Sequence, residues 1–210
     1  MQKSDLFAKT ADALAKAQNE LKTKYALLGF DGFVDEIVRI VDKRYSLTEH
    51  SEISTIAEFA ERISQAAGKS ANIELVVQKM KLGGNGPIMA NALAAFGTQV
   101  TYIGNLGYPS LHSVFEELAK RAKVISIANP SHTDALEFDD GKLLLGKLET
   151  LNDITWENLV QRVGEEKFAQ FLANAHLVGL LNWTMIPFMA EIWENILQRI
   201  CPQLPAESKS

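Results

Sequence analysis

The chain of 210 residues is 47% hydrophobic and 22% charged, which supplies a sizeable core and matches an ordinary globular protein. Its formal net charge is -5, its pI is near 5.4, and no lysine or arginine run exceeds a pair, so neither a nucleic acid nor an anionic membrane surface is an expected partner. The single Cys201 excludes an internal disulfide, and the four histidines lack the spacing of a zinc site.

The N-terminal stretch mixes charged and apolar residues without a continuous apolar run, so neither a signal peptide nor a spanning helix is expected there, and the reading places the protein in the cytoplasm. Residues 5–22 carry Leu6, Phe7, Ala11, Leu14, Ala15 and Leu21 at helical spacing behind Ser4 as N-cap. YALLGF (25–30) reads as a buried strand ended by the turn Asp31-Gly32, the first strand of a central sheet. Residues 33–42 then alternate like a strand that leaves that sheet. Residues 54–67 form a helix with a Thr55/Glu58 capping box and Gly68 as C-cap.

IELVVQKMKL (73–82) predicts a strand, and GGNGP delivers the chain into a helix over 87–96, with Pro87 at its first position and Gly97 past its end. A strand over 99–105, a helix over 111–122 with a Ser113/Glu116 capping pair, and a strand VISIA (124–128) follow. Residues 134–147 predict a hairpin turning at Asp139-Asp140-Gly141. A helix over 155–173, a buried strand over 176–182 and a helix over 186–201 complete the pattern, and the tail LPAESKS shows none. Strands alternating with helices imply a parallel sheet, while 33–42 and 134–147 suit a small flap over one edge.

The glycine-rich turn admits three readings. A P-loop needs Gly-x-x-x-x-Gly-Lys-Ser/Thr at a helix start; the one Gly-Lys-Ser, residues 68–70, lies at a helix end and lacks the first glycine. A dinucleotide fingerprint needs a third glycine where Met89 stands, and a carboxylate ending the next strand, where Gly104-Asn105 stands. The third reading is a polyol grip. Free N–H groups at a helix start donate to hydroxyls, glycines let a ring approach the main chain, and an ionised aspartate accepts from two hydroxyls. Asp31 and Asp35 follow the first strand's C-terminal end, where open α/β sheets place ligands. Asn182, ending the strand over 176–182, either touches a ligand at that edge or caps the next helix.

GFDGFVDEI (29–37) and LGGNGPIMANALAAFGTQVTYIGNLG (82–107) resemble the N-terminal signature of the ribokinase/PfkB carbohydrate kinase family, over about residues 25–200. The resemblance implies a ribokinase-like three-layer α/β/α fold, with a mostly parallel central sheet and a small β lid made of 33–42 and 134–147. It implies Asp35 as the acceptor of sugar or nucleoside hydroxyls and Gly83 and Gly84 as the close-approach glycines. The asparagine usual four residues after the second glycine is Ile88 here, with Asn85 or Asn91 as stand-ins, and the usual Gly-Asp-Asp is Gly107-Tyr108-Pro109.

The family's activity is ATP-dependent phosphorylation of a sugar hydroxyl with Mg2+. Its catalytic base lies in a C-terminal Gly-Ala-Gly-Asp motif that this sequence lacks, so no catalytic residue is assigned here and the base is expected beyond Ser210. The chain is thus read as an incomplete ribokinase-like domain, residues 1–210, that carries the substrate half, has no ATP site, and is inactive alone. A homodimer through the lid strands is the expected assembly. The alternative is a non-catalytic polyol-binding or interaction module.

Overall fold

The computed structural model describes residues 3–205. In chain order its elements are α1 (Lys3–Leu21), β1 (Tyr25–Phe30), β2 (Phe33–Arg44), β3 (His50–Glu52), α2 (Ile56–Gln65), β4 (Leu75–Gly83), α3 (Asn85–Ala95), β5 (Gln99–Gly104), α4 (Glu116–Ala119), β6 (Lys123–Ser126), β7 (Ser131–Glu137), β8 (Lys142–Lys147), α5 (Trp156–Val163), α6 (Glu165–Asn174), β9 (Leu177–Leu180) and α7 (Met189–Asn195).

Four strands form a parallel sheet in the order β6-β5-β1-β9. Central β1 is covered on both faces, which is why YALLGF is a continuous apolar run rather than an alternation. Leu27, Phe30 and Ile103 pack against Trp156, Phe168 and Ile192 of α5, α6 and α7. Ala26, Leu28 and Tyr102 pack on the opposite side against Ala90 of α3 and Leu118 of α4. The result is the expected α/β/α layering.

The lid is built around β2. It pairs antiparallel with β4, parallel with β7 and, at its far end, antiparallel with β3, while β8 adds antiparallel to β7. The lid has its own small core, in which Val38, Ile40, Leu136 and Phe138 meet Phe59 of α2. Both lid segments read from the sequence are therefore present, and the β7-β8 hairpin turns through residues 138–141.

The structure corrects several elements. The strand over 73–82 belongs to the lid, because Gln78, Lys79 and Lys81 suit a strand open to water and not a central one covered twice. The capping box of α2 is formed as read, but its C-cap is Ala66, two residues before Gly68. Helix α3 starts at Asn85, so Pro87 is its third residue. The helix over 111–122 shrinks to one 3-10 turn, Ser113–Phe115, and the single turn of α4. No Ser113/Glu116 box forms there; the His112 ring nitrogen Nδ1 accepts from the Val114 N–H instead.

The helix over 155–173 breaks at Gly164, whose φ of 86° leaves the helical region. The last helix begins at Met189, behind Phe188 as N-cap, and widens into a π turn over Ile196–Ile200. Asn182 therefore caps no helix. The side chain of Ser4, read as the cap of α1, and residues 206–210 of the tail lie outside the described residues. Ser210, past which the sequence reading expects the catalytic base, is among them.

Candidate functional site

β1 ends by handing the chain to Asp31, which is fully enclosed. Its Oδ2 accepts from the Asn85 N–H at 2.8 Å and from Asn182 Nδ2 at 3.0 Å, and its Oδ1 accepts from the Gly86 N–H at 2.9 Å. The Tyr102 hydroxyl donates to the Asp31 carbonyl and lies 3.3 Å from Oδ1. Helix α3 has no capping side chain of its own at Gly84. Asp31, from the turn after β1, satisfies two of its orphan N–H groups, and this tertiary cap lets the helix begin two residues before Pro87.

Glycine is required at this contact. A β-carbon on Gly86 would overlap the Tyr102 hydroxyl, and one on Gly84 would lie 2.8 Å from Asp31 Oδ2, at a φ of 93° that side chains rarely adopt. Burial pushes the Asp31 carboxyl up from its ordinary value of 3.8, while the Gly86 and Asn85 N–H groups, the Asn182 amide and the Tyr102 hydroxyl pull it part of the way back. Tyr102 is raised well above 10.0, first by burial and then by the neighbouring Asp31 charge.

Beside this buried carboxylate a cavity of about 410 Å³ opens between the central sheet and the lid. Its size suits a small ligand. The polar wall consists of Asp35 on β2, Thr133 on β7, Asn85 on α3 and Asn182 after β9. Asp35, Thr133 and Gly146 form one row across β2, β7 and β8, so all three face the same side of the lid. The Asp35 carboxylate is half-buried and, among the described residues, has no hydrogen-bond or ion-pair partner. It lies flat on the main chain of Gly83, where a β-carbon would overlap it.

Asp35, Gly84, Asn85 and Asn182 thus meet at one cavity, and Gly83 backs Asp35. Asp31 lies beneath the wall, and neither it nor Asn91 lines the cavity. Asn182 holds a left-handed φ of 62°, fixed by its bond to Asp31. Lys142 and Lys147 stay off the wall, paired with Glu137 at 2.6 Å and Asp134 at 2.8 Å. The sequence reading missed Thr133 and Tyr102. For Tyr102 a signal exists, since a phenol inside the buried run VTYIG needs a partner for its hydroxyl; for Thr133 the cross-strand register is required.

The family model for prokaryotic ketohexokinase matches residues 6–209. The chain belongs to the prokaryotic ketohexokinase family. A ketohexokinase from Haloferax volcanii is 29% identical over 180 residues, 85% of this chain and 48% of that protein. Among solved structures, a "possible 1-phosphofructokinase" from Thermotoga maritima aligns with TM-score 0.52 and 13% identity, over 85% of this chain and 50% of the other. A "probable sugar kinase protein" from Rhizobium etli aligns with TM-score 0.50 and 17% identity, over 87% of this chain and 54% of the other. These likenesses show a ribokinase-like carbohydrate kinase fold. The chain spans about half the length of the relatives it matches. Among the described residues no helix is long and apolar enough to cross a membrane.

Proposed function

We propose that this chain is the sugar-binding half of an ATP-dependent kinase that acts on a neutral ketohexose-like sugar. One observation carries the reading: an unpaired, half-buried carboxylate, Asp35, shares a cavity with Asn85, Asn182 and Thr133, and among the described residues no lysine, arginine or histidine lines it. A sugar phosphate would bring its negative charge against Asp35 in a cavity whose wall carries no cation, since Lys81, opposite Asp35 in the β2-β4 register, does not line it. Neutral hydroxyls donate to that carboxylate in charge-assisted bonds, while the two amides and the threonine hydroxyl complete the grip. Asp31 holds Asn85 and Asn182 in place and does not itself touch the sugar.

Among the described residues no group of three or more His, Cys, Asp or Glu side chains stands close enough to hold a metal, and no lysine, arginine or histidine lines the cavity, so no described residue is assigned to Mg2+ or ATP. Sugar binding is the activity proposed for this polypeptide. Titration calorimetry with D-fructose, D-ribose and a nucleoside tests it. The ketohexose is expected to bind, and Asp35→Ala to weaken it by about tenfold or more, the scale of a lost charge-assisted hydrogen bond. Unchanged affinity in the variant would remove Asp35 from the site.

The assembly in this reading is a homodimer through the lid, supported by the open edge of β4 and its exposed Leu75, Val77 and Met80. The second reading, a non-catalytic polyol-binding or interaction module, is favoured by β9, an edge strand with Leu177 and Val178 exposed.

A further inference from the structure

The row that carries Asp35 changes character along its length. Asp35 gives way to Thr133 on the next strand and to Gly146 on the one after, a span of about 10 Å at ordinary strand spacing. Gly146 is an empty place in the row, and Leu148 fills it: a β-carbon there would stand 2.9 Å from Leu148 Cδ2. Leu144, two residues from Gly146 and so on the same face, extends the apolar end.

The body contributes to the same end of the cavity. Ile88 lies one helical turn after Asn85 on α3, so the two share a face, and Met185 follows Asn182. Leu144 is 66% and Ile88 54% exposed, and Leu148 and Met185 are also open, yet all four converge on one cavity. Isolated surface apolar groups need no explanation, but four from three separate segments converging on one cavity mark a ligand surface.

Building on the sugar-binding reading, we infer that Ile88, with Leu144, Leu148 and Met185, is a specificity-determining wall that selects a ketose carrying a methyl or methylene group where a hydroxyl would otherwise face it, a deoxy-ketose. A hydroxyl pressed against this wall loses its water and gains no partner, whereas a methyl group gains contact. Asp35, Asn85 and Asn182 hold the hydroxylated side of the same sugar.

The test is calorimetry on the full chain with D-fructose and its 1-deoxy and 6-deoxy analogues, for the wild type, Ile88→Asn and Leu144→Ser. Both positions are exposed, so the variants keep the fold. One deoxy analogue is expected to bind the wild type about tenfold more tightly than D-fructose, the scale set by one misplaced group in an apolar pocket. Ile88→Asn is expected to reverse that order, and Leu144→Ser to narrow it. Wild-type preference for D-fructose over both analogues, or an unchanged ratio in both variants, overturns the wall while leaving the sugar site intact. Absence of binding by all three sugars overturns the site and the wall together.

Discussion

Asp31 and Asp35 stand four residues apart, yet the first is enclosed among the donors that organise α3 and Asn182, and the second is half-buried and free to accept from a ligand. Their glycine neighbours differ in the same sense, and this yields a paired prediction. Gly83→Ala presses only on the end of the Asp35 side chain, which can swing away, so sugar affinity falls by about tenfold while stability changes by less than about 1 kcal/mol. Gly86→Ala drives a methyl into the enclosed Tyr102 hydroxyl and Asp31, neither of which has room, and costs about 1–3 kcal/mol. Urea unfolding and calorimetry on both variants check it. Asp31 also makes a pH prediction. Its folded-state pKa is raised, so the folded protein holds that proton more tightly than the unfolded chain. The associated stabilisation is full below the ordinary aspartate value and is lost as pH rises through the folded one. Asp31→Asn removes this linkage, so the stability of the wild type relative to the variant should grow as the pH falls from 7 toward 4. A pH-independent difference between their urea midpoints would show that the donors just offset burial, and a difference that shrinks as the pH falls would show that they outweigh it. The pair of aspartates and the glycines were legible as residue types in a turn after a strand. Spacing alone did not separate the roles of the two aspartates and only the family resemblance pointed to Asp35, because the enclosure of Asp31 depends on Tyr102 and Asn182, 71 and 151 positions away from it.

Elements announced themselves where their signals are local. Thr55 and Glu58 form the reciprocal cap that the sequence pattern predicts, with the Thr55 hydroxyl accepting from the Glu58 N–H at 3.2 Å and the Glu58 carboxylate accepting from the Thr55 N–H at 3.1 Å. The strand-like run 33–42 and the Asp-Asp-Gly tip of the hairpin were equally plain. What the pattern left open was partnership. β4 follows a helix, as a central strand would, and only its pairing with β2 places it in the lid. The predicted helix over 155–173 runs through Gly164, where the chain turns and α6 takes its own direction, with Phe168 against Phe30 and Trp156. The cap of α2 supports a prediction at this scale. Phe59 of this helix packs on Phe138, ring centroids 5.6 Å apart, on the lid face opposite Asp35. Thr55→Ala should therefore lower stability by about 1 kcal/mol and leave sugar affinity unchanged, measured by urea unfolding and calorimetry on the same preparations. An affinity loss as large as that of Asp35→Ala would mean that the two lid faces are coupled.

At the scale of the whole molecule, β4 among the edge strands of the lid and β9 among those of the central sheet expose apolar side chains. Natural edge strands are guarded by charge, proline or a covering element. β4 is half guarded: Lys79 and Lys81 stand on the Asp35 side of the lid, whereas Val77 and Met80 are exposed on the other. β9, of sequence LVGL, carries no charge, and Trp183, exposed and stacked on Trp193 at 6.0 Å, follows it in the chain. Each edge can pair with its own copy about a two-fold axis. Two such surfaces on one chain link copies without a stop unless their symmetry closes, whereas either one alone ends at a dimer. Light scattering on the wild type should accordingly give twice the chain mass where the lid edge alone pairs, and a mass that climbs with concentration where both edges do. Val178→Lys charges the β9 edge and should leave a species of twice the chain mass held by the lid, and Met80→Lys should leave one held by β9. The double variant should return to 23.2 kDa at every concentration, because each of these two edges then carries a charge among its exposed apolar side chains. A wild type that holds this monomer mass across the range removes both contacts. A wild type that stops at the dimer, and falls to monomer in only one of the single variants, identifies which edge is the working one.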